Sequence, residues 1–209
     1  MDWHTLPPMD IEKRSFEIIT RELGDTYLDP EQAPIIKRVI HTTADLDYAN
    51  TLFFSKDAVN AGREALLAGA HIVTDTRMAE AGINKTTLAK LGGVVHCFMS
   101  DPDVATSAKE RNITRAAVSM EKASQLECPL IIAVGNAPTA LLRLNELIAE
   151  GCIKPCLIIG VPVGFVNVVE SKEIIKASGT PCIISEGRKG GSNVAAAICN
   201  ALLYALAER

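Results

Sequence analysis

The chain changes its rhythm near residue 70. Before that point apolar residues recur at helical spacing. Phe16, Ile19 and Leu23 stand three and four apart, with Glu12, Lys13 and Glu17 between them, the pattern of an amphipathic helix that begins near Met9 and Asp10. Gly24 and Pro30 interrupt it, and a second helical stretch is predicted from about Glu31 to His41. Ser55 reads as the N-cap of a helix from Lys56 to Leu67, closed by Gly69. Beyond residue 70 short apolar runs take over: His71–Thr74, Val94–Phe98, Leu130–Val134, Cys156–Ile159 and Cys182–Ile184. Each is too short for a helix and most are rich in β-branched residues, and helical segments lie between them. Strands that are apolar on both faces and alternate with helices indicate a parallel sheet covered on both sides. The expectation is an α/β fold, a flavodoxin-like doubly wound sheet of five mainly parallel strands with helices on both faces. A last helix runs from about Ser192 to Leu206. Without an internal repeat or a long linker, residues 1–209 read as a single domain, loose only over the first ten.

Open parallel sheets bind ligands beyond the carboxyl ends of their strands. Three of these ends carry glycine here: Gly135-Asn136-Ala137-Pro138-Thr139, Gly160-Val161-Pro162-Val163-Gly164-Phe165 and Gly187-Arg188-Lys189-Gly190-Gly191-Ser192. Glycine lets backbone approach a ligand, and the helix N-termini that follow offer free N–H groups to anions. Such turns are also ordinary connectors, but three on one rim favour a ligand site. The loops fit no nucleotide signature. The third lacks the Gly-Lys-Ser/Thr ending of a phosphate loop, and no Gly-x-Gly-x-x-Gly follows the first of the five strands.

Composition narrows the classes further. Lysine and arginine total 21 against 25 aspartate and glutamate, a net charge of -4. That balance argues against nucleic acid or an anionic membrane as the partner, since both call for clustered basic surface. Hydrophobic residues at 48% exclude a disordered chain. The apolar runs fall short of the roughly 20 residues that span a bilayer. Met1–Thr5 has no basic stretch ahead of an apolar one, so no signal peptide is expected and a cytoplasmic location is the default. The six cysteines lack zinc-site spacing, and they are expected to be reduced and mostly buried.

Four histidines are candidates for chemistry. His4 sits in the leader. His71 and His96 lie in or beside strand-like runs, where packed or edge positions are expected. His41 differs, because Arg38 three residues earlier can share its helix face. A histidine beside an arginine suits acid–base work on an anionic ligand, although a histidine at a helix C-terminus also serves the helix dipole. Asp45 and Asp47 could form a metal pair but more often start a loop or cap the next segment. No Ser-His-Asp order, nucleophile elbow or His-Glu-x-x-His is present. What remains is proton transfer on a multiply anionic small molecule.

Blocks along nearly the whole chain resemble the precorrin-8X (cobalt-precorrin-8) methylmutases of corrinoid biosynthesis. They include Ile11-Glu12 with Ser15-Phe16, Arg38-Val39-Ile40-His41-Thr42-Thr43-Ala44-Asp45, Asp75-Thr76, Thr114-Arg115, Gly135–Leu141, Gly160–Val166, Glu170-Ser171-Lys172 and Gly187–Ser192. The resemblance implies a flavodoxin-like homodimer and an isomerase. The reaction would move a methyl group from carbon 11 to carbon 12 of the macrocycle by a 1,5-sigmatropic shift, with His41 as general acid toward a ring nitrogen. It implies no cofactor and no protein metal site, because the methyl is already on the substrate and any cobalt arrives inside it. Ser15 and Arg38 are the substrate contacts it carries over, and Arg115 is a further one. Asn136, Lys172, Arg188, Lys189 and Ser192 complete the expected tetrapyrrole-binding set. A net charge of -4 is then reconciled with several substrate carboxylates by cations gathered at glycine-rich rims. The chain departs from the family's usual Gly-Ala-Ala at Asn167-Val168-Val169, and from its usual serine after Arg115 at Ala116. Two competing readings are a non-catalytic corrinoid carrier and a generic phosphate- or nucleotide-binding enzyme of this fold.

Overall fold

A computed structural model describes residues 8–207; His4 and most of the expected loose leader lie outside them. Eleven α-helices and six strands follow one another: α1 (Pro8–Leu23), α2 (Ala33–Thr43), α3 (Tyr48–Thr51), β1 (Leu52–Phe54), α4 (Ala58–Leu67), β2 (His71–Thr74), α5 (Arg77–Gly82), α6 (Lys85–Lys90), β3 (Val95–His96), α7 (Pro102–Glu110), α8 (Arg115–Ala123), β4 (Leu130–Val134), α9 (Pro138–Ala149), β5 (Leu157–Gly160), α10 (Val168–Ala177), β6 (Cys182–Ser185) and α11 (Ser192–Ala207). The sheet order is β1-β6-β5-β4-β2-β3. All five strands expected from the apolar runs are present and parallel to one another.

The sheet nevertheless has six strands and is mixed. Leu52–Phe54 runs antiparallel along the outer edge of β6, pairing Leu52 with Ser185 and Phe54 with Ile183. Three residues leave too little alternation to mark a strand in sequence, and the preceding helix α3 ends directly on it. Ser55 extends this edge. Its N–H donates to the Cys182 carbonyl, and its Oγ accepts from the Cys182 N–H at 2.8 Å. It therefore closes the ladder and does not cap α4, whose N-cap is Asp57.

Each central strand is apolar on both sides because it feeds two cores. Ile131, Ala133, Leu157, Ile159 and Ile183 point to one core, shared with α2, α4 and α11. Leu130, Ile132, Val134, Ile158 and Ile184 point to the other, shared with α8, α9 and α10. The period of two along a strand produces this division. Full burial of one such side chain contributes roughly 1.5–3 kcal/mol. α1 rests on the outside of α2, so it forms a third layer over that part of the first face. No helix among the described residues is long and apolar enough to cross a membrane. The six cysteines are free. Cys97, Cys182 and Cys199 are buried, Cys128 and Cys156 are half-buried, and Cys152 is exposed, so burial is less general than the apolar runs suggested.

Ile132 lies at the middle of β4 with none of its surface exposed. Ile132→Ala is expected to lower stability by about 2–5 kcal/mol, read as a lower urea midpoint with an unchanged slope. A midpoint equal to that of the wild type would place Ile132 outside the load of the second core.

Candidate active site

The site starts from one helix. In α2 the buried positions are Ile35, Ile36, Val39 and Ile40, which leaves Arg38, His41 and Thr42 on the side turned away from the core. Pro34 occupies the first turn, where its missing N–H costs nothing. Ala44 ends the helix in the left-handed region (φ 54°) and donates its N–H to the Ile40 carbonyl. His41 thus stands in the last turn, one residue pair before a sharp change of direction.

α1 fixes the ring. Ser15 Oγ lies 2.8 Å from His41 Nδ1, and Phe16 stacks on the imidazole at 5.4 Å with planes 16° apart. Phe16 shares the apolar spacing of Ile19 and Leu23, yet its ring faces the histidine. With Nδ1 occupied by Ser15, Nε2 is the ring nitrogen that can meet a ligand. Arg38 is held as firmly. Its Nη2 donates to Glu12 Oε1 at 2.7 Å, and its guanidinium lies 4.9 Å from the Phe16 ring centroid and 5.1 Å from that of Tyr204. A guanidinium sandwiched in this way keeps a planar edge of donors in one orientation. Tyr204 sits on α11, far away in sequence, and no local signal pointed to it.

His41 forms part of the wall of two hollows. One, about 390 Å³, opens between α1 and α2 and is largely apolar, with Ile11, Ile18, Ile19 and Ile40 among its lining. The other, about 310 Å³, opens between α2 and α11, where Arg38, Asn193, Asn200 and Tyr204 stand beside Ala196 and Ala197. A histidine between an apolar hollow and one edged by an arginine and two asparagines offers room for a ligand that is apolar in its body and polar at its edge.

The strand rim supplies the second part. At the ends of β2 and β4 the connections leave toward opposite faces. Asp75 bridges that point: Oδ1 accepts the Gly135 N–H at 2.8 Å, and Oδ2 accepts the Asn136 and Ala137 N–H groups at 2.8 and 2.6 Å. The carboxylate is wholly buried. Burial pushes its carboxyl up, and the three N–H donors pull it back. The Asn136 side chain is left exposed on this turn. Ser192 opens α11 and shares a 2.8 Å hydrogen bond with Thr76.

The third loop carries the cations, and they are engaged. Lys189 Nζ reaches Asp45 at 2.7 Å and Asp47 at 3.0 Å, so the two carboxylates meet a lysine. This ammonium holds Asp45 well below the usual carboxylate range. Arg188 lies 5.4 Å over the exposed ring of Phe165. Lys172 is neither on the rim nor solvated. It is 1% exposed, and its Nζ donates to Ser185 Oγ at 3.3 Å, the Gly187 carbonyl at 2.8 Å and the Lys189 carbonyl at 2.9 Å. Burial pulls it down to about 8. At neutral pH the ammonium still keeps its three donors. Asn167, which begins the departure from the family's small residues, takes the left-handed conformation (φ 56°) at the start of α10, a position asparagine tolerates.

Arg115 stands apart. It opens α8 behind the Thr114 cap, is exposed beside Lys109 and Asn112, and belongs to the helix layer opposite that of His41. The fold brings His41, Ser15 and Arg38 together, sets Lys172 of α10 under the loop that carries Arg188 and Lys189, and leaves Arg115 in the helix layer opposite His41.

Fold and site together define an α/β protein with an oriented histidine beside a clamped arginine, on the wall that two hollows share. The family described as CbiC, precorrin-8X methylmutase, matches residues 10–205, and the chain belongs to that family. It is 47% identical to a cobalt-precorrin-8 methylmutase from Priestia megaterium, over 95% of this chain and 88% of that one. It is 46% identical to the cobalt-precorrin-8 methylmutase of Salmonella typhimurium, over 96% and 97%. A solved precorrin-8x methyl mutase from Thermus thermophilus superposes with a TM-score of 0.86 at 39% identity, covering 95% of this chain and 98% of that one. The protein is therefore an enzyme, an isomerase of the methyl-shifting class in corrinoid biosynthesis.

One position tests how tightly the rim is packed. A Cβ on Gly135 would lie 2.7 Å from Ser192 Cα and 2.9 Å from the Gly191 carbonyl oxygen, all rigid backbone. Gly135→Ala is expected to cost about 1–3 kcal/mol, measured by urea unfolding. Wild-type stability would mean that the two loops part without resistance.

Proposed function

We propose that the enzyme moves a methyl group from carbon 11 to carbon 12 of precorrin-8 or its cobalt form, giving hydrogenobyrinate or cobyrinate. The reaction is intramolecular. The bond from carbon 11 to the methyl breaks as the bond to carbon 12 forms, and the composition of the molecule does not change. His41 acts as general acid: the imidazolium lends its Nε2 proton to a ring nitrogen, the π system becomes electron-poor enough to rearrange, and the proton returns. The observation that carries this reading is the Ser15–His41 contact, which orients the ring and directs its chemistry to Nε2. Family membership supplies the reaction class.

In this reading Arg38 meets a peripheral carboxylate of the macrocycle with the planar edge left over from Glu12. Asn136, Arg188 and Ser192 line the rim for the remaining polar edge, and Arg115 would reach a substrate only from another direction. Lys189 contributes charge next to Asp45 and Asp47. No cofactor takes part, and cobalt, where present, is carried by the substrate. A flavodoxin-like classification is supported by the order of the five parallel strands, β3-β2-β4-β5-β6. A homodimer in the cytoplasm completes the reading.

The test combines titration and turnover. Purified protein is titrated with hydrogenobyrinate and with its cobalt counterpart, followed by absorbance, and the methyl shift is assayed on precorrin-8. His41→Ala is expected to bind the product yet lose turnover by about 100- to 10,000-fold. Turnover at the wild-type rate in that variant would remove the general acid. Tight binding by a wild type that never turns over would make the protein a carrier. Arg38→Ala is expected to weaken product binding by about 1.5–3 kcal/mol, the range for a hydrogen bond to a charged group. Unchanged affinity would take Arg38 out of the pocket.

A further inference from the structure

Lys172 lies on the opposite sheet face from His41, yet a continuous set of contacts joins them. Its ammonium gives two of its three protons to backbone carbonyls of the loop after β6, at Gly187 and Lys189, and the third to Ser185 Oγ. The Ser185 hydroxyl in turn donates to the same Lys189 carbonyl. The loop is closed further by the Gly164 N–H on the Arg188 carbonyl and the Gly191 N–H on the Val161 carbonyl. Gly190 adopts φ +155°, and a side chain there would collide with the Val161 carbonyl. The backbone of Lys189 is therefore fixed from inside the protein. Its side chain leaves that anchor and ends between Asp45 and Asp47. Asp45 is four residues beyond His41, immediately after the left-handed Ala44 that ends α2.

We propose that Lys172 is a positioning residue for the methyl shift: it sets the loop after β6, and the loop, through Lys189 and the Asp45–Asp47 pair, sets the end of the helix that carries His41. The inference rests on the reading of His41 given above only where activity is measured; the mechanical link from Lys172 to residues 44–48 stands or falls by itself. A lysine suits this task because three donors radiate from one atom onto acceptors in three directions. Methionine, of similar length, fills the space and leaves the three acceptors without their donor. A strut that only holds the β6 loop would leave α2 untouched, and that difference is measurable. A small displacement of a reacting group costs rate far more than it costs binding.

The experiment uses the full chain in four forms, wild type, Lys172→Met, Lys189→Met and the double variant, with two readouts. Amide hydrogen exchange is followed over residues 187–191 and 44–48. Turnover gives kcat and KM separately. Lys172→Met is expected to raise exchange in both segments and to lower kcat by about 10- to 100-fold, with KM changed by less than about threefold. Lys189→Met, whose replaced side chain is half in solvent, is expected to raise exchange over 44–48 alone. The double variant is expected to lose no more kcat than Lys172→Met, because both act along one path. Exchange that rises only over 187–191 in Lys172→Met, or a kcat equal to that of the wild type, overturns the proposal. If Lys172→Met does not fold, Lys189→Met decides: unchanged exchange over 44–48 sinks the link. A wild type without methyl-shift activity would overturn the functional reading and leave the exchange result to judge the link.

Discussion

A single buried carboxylate holds the rim on which everything else is arranged. Asp75 ends β2 at the point where neighbouring connections depart to opposite faces of the sheet, which would otherwise open a crevice between β2 and β4. Three successive N–H groups from the turn after β4 converge on its two oxygens. Unpaired, a buried carboxylate would cost several kcal/mol; here the donors of the turn, which would themselves be buried without partners, offset that cost. The turn so fixed lies against the start of α11 at Gly135, where nothing larger than hydrogen fits. Thr76, next to Asp75, meets Ser192. The placement of α11, and with it Tyr204 beside Arg38, follows from this contact.

On that base the layer that carries His41 is built outward. α11 packs on the sheet, α2 on α11, and α1 on α2. Only the last two carry His41 and Ser15. The histidine is thus oriented by groups from an outer layer, Ser15 and Phe16, while its helix is buried along the other side. Arg38 joins all three helices by touching Glu12, Phe16 and Tyr204. Partial exposure is the consequence and also the condition for reaching a ligand. The cationic loop after β6 is tied in the opposite sense. Its own lysine, Lys189, is spent on carboxylates, and Lys172 of α10 is spent on the loop's carbonyls, so the charge gathered here organises the rim.

Some of this was legible in the chain. The five parallel strands could be read because a strand buried on both faces is a continuous apolar run. His41 and Arg38 could be paired because three residues on a helix are neighbours. β1 escaped because three residues have no period, and Ser55 misled because a serine before a helical run resembles a cap while its hydroxyl serves the Cys182 N–H. Lys172 reads in the chain as one of the cations that meet substrate at the rim. Its burial depends on Ser185 and the 187–189 carbonyls, acceptors that chain order does not bring near it. Arg115 matched a family block, yet its helix lies on the far layer.

Chain order and residue type set the layers and the chemistry on offer: period two or period 3.6 decides which side of each element is apolar, and a histidine, a serine and an arginine bring their reactivity wherever they fall. Packing selects which of these groups meet. Ser15 with His41, Arg38 with Tyr204, Lys189 with Asp45 and Lys172 with Gly187 are contacts between elements. Their distances are set by how helices and loops close over the sheet, and that closure is a property of the packed whole, with no local pattern to announce it.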